Sequence, residues 1–106
     1  MRNIPKKQMK FRARDKLLKL MKIPGERRTN VQRIQIAILD FRVKNGLTQD
    51  EAAAILGYCT PVLSKYESGK ENRAAKMPLE RLEELASKVG KTLYIEFRDK
   101  KDGGAL

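Results

Sequence analysis

From Val31 onward apolar residues recur at three- and four-residue spacing. Val31, Ile34, Ile38 and Phe41 share one stripe with Ala37, a period that predicts an amphipathic helix. Asn30 is a suitable N-cap before the run, and Asn45-Gly46 supplies the residue types that best tolerate the left-handed position at a helix end. Thr48-Gln49-Asp50-Glu51 then reads as a capping box, with Thr48 at the N-cap and Glu51 three residues on to reach back. The Ala52-Ala53-Ala54-Ile55-Leu56 run favours a second helix that stops at Gly57. Another start follows at Thr60-Pro61, where proline sits in a first turn and its missing N–H does no harm. That helix runs through Leu63 and Tyr66 to Ser68-Gly69.

Residues 70–76 are polar and basic and read as a loop. Pro78 opens a further helix carrying Leu79, Leu82, Leu85, Ala86 and Val89 on one face, with Glu80, Glu83 and Glu84 in its early turns, where the helix dipole favours acids; Gly90 ends it. Over residues 92–97 the period changes to two, Leu93, Ile95 and Phe97 alternating with polar or amphipathic neighbours, which predicts one half-buried strand. A lone strand leaves its edges unpaired. It can pair with the same strand of a second copy across a two-fold axis, or form a hairpin with the leader of its own chain. Upstream, residues 1–12 are basic and without a period and read as a mobile arm. Residues 13–22 hold Leu17, Leu18, Leu20 and Met21 and form a short helix that Pro24-Gly25 stops; a polar linker leads to Asn30. The expected layout is therefore a basic arm over 1–29, a helical domain over 30–90, a dimerising strand over 91–98 and a disordered tail over 99–106.

Composition narrows this picture. A chain of 106 residues has room for one small core. It carries 24 Lys and Arg against 13 Asp and Glu, a net charge of +11. Residues 1–30 hold eleven basic and two acidic residues, so +9 of that excess sits on the leader. Such an arm suits a polyanion, nucleic acid before others: it can lie in a minor groove or wrap an acidic protein. An anionic membrane surface is the weakest of the three, and no run of residues has the length and apolarity of a membrane span. A single Cys and no His exclude an internal disulfide, a zinc finger and a histidine-based triad. No nucleophile stands beside a recognisable base, so no enzyme is expected, and neither is a cofactor or metal. No signal peptide is legible, and a cytoplasmic protein is the expectation.

Two short helices joined by a glycine-containing turn, here Gly57-Tyr58-Cys59, are the signature of a helix-turn-helix. Ala53, four residues before Gly57, is small enough to let the helices approach closely, and Leu56 and Leu63 are placed to fill the angle between them. The residues Thr48-Gln49-Asp50-Glu51-Ala52-Ala53-Ala54-Ile55-Leu56-Gly57, followed by Thr60-Pro61-Val62-Leu63-Ser64-Lys65-Tyr66-Glu67-Ser68-Gly69-Lys70, resemble the Cro/phage-repressor (Xre) family over roughly residues 31–90. The layout with a basic leader and a terminal strand resembles the small HigA-like antitoxins of that family.

The resemblance implies a mainly α, four- to five-helix, lambda-repressor-like fold in which the helix from Thr60 enters the major groove. Cys59, Thr60, Pro61, Ser64 and Lys65 would then face bases, Gln49 would touch phosphate, and Lys70, Arg73 and Lys76 would follow the backbone. It also implies an ion pair between Arg42 and Glu67. Cys59 stands where Ser or Thr usually caps, and sulfur is a poor acceptor; an unreactive thiol is the simpler reading of it than a redox sensor. Pro61 can offer only apolar contact, for instance to a thymine methyl, which leaves Thr60, Ser64 and Lys65 for hydrogen bonds. Without the motif, those three would read as a solvated helix face and the three loop cations as a charged loop. Two functions follow. One is a repressor, or an autoregulating antitoxin, that binds a palindromic operator as a homodimer. The other is a protein-interaction module that neutralises a toxin with little DNA binding of its own.

Overall fold

The computed structural model describes residues 6–69, 76–97 and 99, with side chains from Arg12 onward. Five helices account for most of these residues: α1 Lys6–Met21, α2 Asn30–Asn45, α3 Gln49–Leu56, α4 Thr60–Ser68 and α5 Leu79–Lys88. The protein is mainly helical, as expected. No helix among the described residues is long and apolar enough to cross a membrane.

The helix ends follow local chemistry. Thr48 Oγ1 accepts the Glu51 N–H at 3.2 Å, and Glu51 Oε1 accepts the Thr48 N–H at 2.9 Å, closing the expected capping box of α3. Gly46, Gly57 and Gly69 each end a helix with φ between 61° and 79°, a conformation a Cβ disfavours. The cap of α2 differs from expectation. Thr29, not Asn30, is its N-cap, because Thr29 is matched three residues on by Gln32, and the two exchange bonds of 3.1 and 2.9 Å. Asn30 is already the first helical residue.

The leader departs further from its reading as an arm. α1 begins at Lys6, not near Ala13, although residues 6–12 lack an apolar period. Lys, Gln, Met and Arg are good helix formers whatever their period, and the C-terminal half of α1 is anchored: Ala13 is buried, Leu17 and Leu20 are half-buried, and the helix packs along α2. Beyond α1 lies a 3-10 turn, Gly25–Arg27. Arg28 donates from Nε to the Ile23 carbonyl at 3.0 Å and from Nη2 to that of Met21 at 3.3 Å, so the expected linker is tied to the end of α1.

The core lies where α2, α3, α4 and α5 converge. Ile38, Ala52, Ala53, Leu56, Leu63 and Leu85 are buried together there. Leu79 is exposed despite sharing the expected apolar face of α5. Residues 91–97 form no strand. A ladder requires a second strand, and none exists among the described residues. The leader cannot supply one, being helical from Lys6, which removes the single-chain hairpin over that stretch. The expected arm over 1–5, most of the loop over 70–76 and the tail beyond 99 lie outside the described residues.

Candidate nucleic-acid interface

α3 and α4 are set against each other by the residues between them. Gly57 adopts φ 79°, and the Tyr58 N–H donates to the Ala53 carbonyl at 2.9 Å, which turns the chain sharply after Leu56. Cys59 then caps α4 through its carbonyl, which accepts the Leu63 N–H at 3.1 Å; its side chain makes no capping bond. Ala52 and Ala53 are buried with only a methyl each between the helices, and Leu56 and Leu63 fill the angle as expected. Tyr58 stands edge-on to Tyr66, with ring centroids 5.2 Å apart and an interplanar angle of 83°. Burial raises the Tyr58 hydroxyl above its ordinary pKa; Tyr66 adds to this, Arg81 opposes it and Glu84 reinforces it. From α5, the Lys88 ammonium donates to the Leu56 carbonyl at 3.1 Å and neutralises the C-terminal end of α3.

The inner face of α4 is fixed by a polar cluster. Arg42 Nη1 donates to Glu67 Oε1 at 2.7 Å, with both side chains 4 % exposed. This is the ion pair the family resemblance implied. Gln49 Nε2 donates to the same oxygen at 2.8 Å, and Gln35 Nε2 donates to the Glu67 backbone carbonyl at 2.7 Å. One carboxylate thus draws α2 and α3 to α4, while Gln35 holds the end of α4 from behind. Gln35 packs so closely that a Cβ on Gly69 would lie 3.1 Å from its amide nitrogen. Gln49 was expected to touch phosphate; its side chain is half-buried and spends one amide N–H on Glu67.

The outer face of α4 is polar and accessible. Cys59, Pro61 and Ser64 are exposed, and Thr60 and Lys65 are half-buried at its edge. Cys59, Thr60 and Pro61 therefore lie at the N-terminal end of α4, Ser64 at its middle and Lys65 in its last turn, apart from the buried Leu63, Tyr66 and Glu67. Thr60 Oγ1 donates to Asp50 Oδ1 at 2.6 Å. With its proton committed, the hydroxyl can present only lone pairs outward. Lys76 is exposed, while Lys70 and Arg73 lie outside the described residues.

No family model, curated protein or solved structure matches the chain. The site therefore stands on its geometry.

Two of its members were not singled out from sequence. Gln35 is a polar residue among the apolar positions of α2, one after Ile34 and three before Ile38, and that position was a usable signal of a buried partner. The role of Asp50 was not legible, because its bond to Thr60 depends on how two helices meet. The expected strand residues divide: Leu93 is half-buried, whereas Ile95 and Phe97 are exposed.

Proposed function

We propose that this chain is a sequence-specific DNA-binding repressor in which α3 and α4 form a helix-turn-helix and α4 reads the major groove. The carrying observation is the division of α4. Its inner side is held by Arg42, Gln49 and Gln35 through Glu67, while Thr60, Pro61, Ser64 and Lys65 lie along its outer side, Thr60 and Pro61 in the first turn. A rigid helix with an accessible polar outer face is what reading base edges requires. The net charge of +11 supports a polyanionic partner.

The committed proton of Thr60 narrows the readout. As an acceptor it suits the amino groups of cytosine N4 or adenine N6, whereas Lys65 donates to guanine O6 and N7. The chain acts as a two-fold dimer on a palindromic operator, joined by antiparallel pairing of residues 92–97, and the same exposed segment favours the narrower role of an antitoxin that also binds a toxin. In the test, duplexes are selected from a random pool by the full chain. Thr60→Ala is expected to relax selection at a cytosine or adenine position and Lys65→Ala at a guanine, each by up to roughly 1–3 kcal/mol. Lys76→Ala is expected to weaken selected and random duplexes alike. Equal losses on both duplexes for Lys65→Ala would remove α4 from the reading role and leave the protein-interaction module as the function.

A further inference from the structure

Glu67 holds its partners unevenly. Arg42 Nη1 and Gln49 Nε2 both donate to Oε1, at 2.7 and 2.8 Å, whereas Oε2 of the same buried carboxylate has no hydrogen-bond partner. The set of Arg42 explains this. Its Nε donates to the Leu47 carbonyl at 3.4 Å, so the guanidinium meets the carboxylate through one nitrogen rather than as a two-pronged fork. A buried charged acceptor without a donor is costly, and the cost falls when a donor reaches it.

Glu67 lines a cavity of about 220 Å³ whose other polar walls are Arg42, Gln49, and Arg12 and Lys16 of α1. Arg42 and Gln49 are held at Oε1, which leaves the two cations of α1 as the donors of that lining. Of these, Lys16 is the better placed. It follows the buried Ala13 by three residues, a spacing that sets side chains next to each other on one helix face. Lys16 is half-buried there, while Arg12 is exposed. A lysine also brings a compact ammonium with three donors on a flexible stem, which suits a single oxygen, whereas a planar guanidinium suits two. The chain sets two ammonium groups on one carboxylate elsewhere: Lys44 and Lys91 each approach Asp40 Oδ2 at 3.2 Å.

We infer that the Lys16 ammonium closes on Glu67 Oε2, so that α1 is a strap holding α4 from its buried side. Arg42 from α2, Gln49 from α3 and Lys16 from α1 then converge on one carboxylate. This gives the leader a role apart from its bulk charge, since α1 lies outside residues 31–90, over which the chain resembles repressors. Lys16 is a positioning residue that acts through Glu67. Its effect on DNA rests on the reading function proposed above; the contact itself does not.

The contact is tested by a double-mutant cycle in urea unfolding of the full chain. Lys16→Met keeps the apolar stem and removes the ammonium, and Glu67→Gln removes the charge that it meets. The two are expected to be non-additive, with a coupling factor of about fivefold or more in the unfolding equilibrium constant. Arg12→Met removes the other cation of the same cavity and is expected to be additive with Glu67→Gln within about twofold. Additivity of Lys16→Met with Glu67→Gln within that limit overturns the strap.

The ¹³C resonance of the Glu67 side-chain carboxyl gives a reading that does not require Glu67→Gln to fold. It is expected to move in Lys16→Met and to hold in Arg12→Met. A resonance that holds in both variants, moves equally in both, or moves only in Arg12→Met overturns the contact with Lys16. On a selected duplex, Lys16→Met is expected to weaken binding by a factor of about two or more, through the loosened α4. It is expected to keep the wild-type slope of log K against log salt, because the ammonium is spent on Glu67. A slope shallower by about one unit assigns Lys16 to phosphate and overturns the strap. A wild-type chain that binds no duplex at any salt concentration defeats the reading function alone, and the cycle and the carboxyl resonance still decide the contact.

Discussion

Glu67 and Phe97 occupy opposite situations in one small chain. Glu67 is 3 % exposed, and donors from two other helices converge on its carboxylate; Phe97 is fully exposed, with Tyr94 and Ile95 beside it at 87 % and 62 %. In the α2–α4 body a charged group is buried because partners were built for it. After Gly90 apolar groups face solvent. Local rules complete the first region within one chain: caps, left-handed glycines and helix-spaced apolar residues each find their counterpart nearby. The second region has a pattern of period two, which has meaning only when another strand lies alongside. The contrast teaches that the body's buried charge and apolar residues find their counterparts within the chain, whereas Tyr94, Ile95 and Phe97 stay open to solvent.

The comparison is broken most sharply at Glu67. Glu67→Ala strands the buried Arg42 guanidinium and removes the acceptor of Gln49. The loss of one partner of a buried pair costs about 3–5 kcal/mol. For a domain of this size that lowers Tm by more than about 10 °C. Thermal unfolding followed by circular dichroism measures it. An unchanged Tm would mean that the pair does not hold α2 to α4.

At the other end, Ile95→Lys is expected to leave the unfolding free energy of the helical body within about 0.5 kcal/mol of wild type, because its site is already open to solvent. It is expected instead to shift the chain towards monomer in sedimentation. It should weaken binding to a palindrome by tenfold or more, about 1.4 kcal/mol, with little change on a single half-site. A wild-type chain that is itself monomeric at micromolar concentration, and binds palindrome and half-site equally, removes the two-fold dimer.

The same contrast explains what was legible in the sequence. Thr48, Gly46, Gly57 and Gly69 act on their own neighbourhoods, so their residue types alone mark the ends of α2, α3 and α4. Ala53, Leu56 and Leu63 follow from the short turn that sets the helices together. The start of α1 was missed because residues 6–12 form helix through propensity without an apolar period to announce it. Thr29 was passed over for Asn30 although Gln32, its reciprocal partner, stood in view. The Asp50–Thr60 bond depends on tertiary placement, and no spacing along the chain carries that. Residues 92–97 carry a period-two pattern whose expected partner is a second copy; none of the described residues of one chain forms a strand beside it, and the pattern specifies a face but not the partner that completes it.

The smallest effect tests the join between the two regions. Lys91, the first residue after Gly90, reaches back to Asp40 Oδ2 on α2 at 3.2 Å, and Lys44 approaches the same oxygen at 3.2 Å. Partial burial pushes the Asp40 carboxyl up, but the two ammonium groups outweigh it and hold the group below its ordinary value. A carboxyl whose folded pKa is depressed contributes stability that is fully present above its unfolded value, about 3.9, and is lost as the pH falls through the folded one. Asp40→Asn removes that contribution, so the variant is expected to be slightly less stable than wild type near neutral pH. The gap should begin to close as the pH falls to the ordinary carboxylate range and vanish only below the depressed folded value. Both lysines are substantially exposed, so solvent screening keeps the difference under about 1 kcal/mol. Urea unfolding at a series of pH values reads it, and a gap that widens towards acid would show that Lys91 does not tether the terminal segment through Asp40. Combined with Ile95→Lys, Asp40→Asn also asks whether that tether prepares the segment for a second copy. If it does, Asp40→Asn alone weakens dimerisation at neutral pH and leaves it unchanged only at pH well below the ordinary carboxylate range, where the wild-type carboxyl has lost its charge.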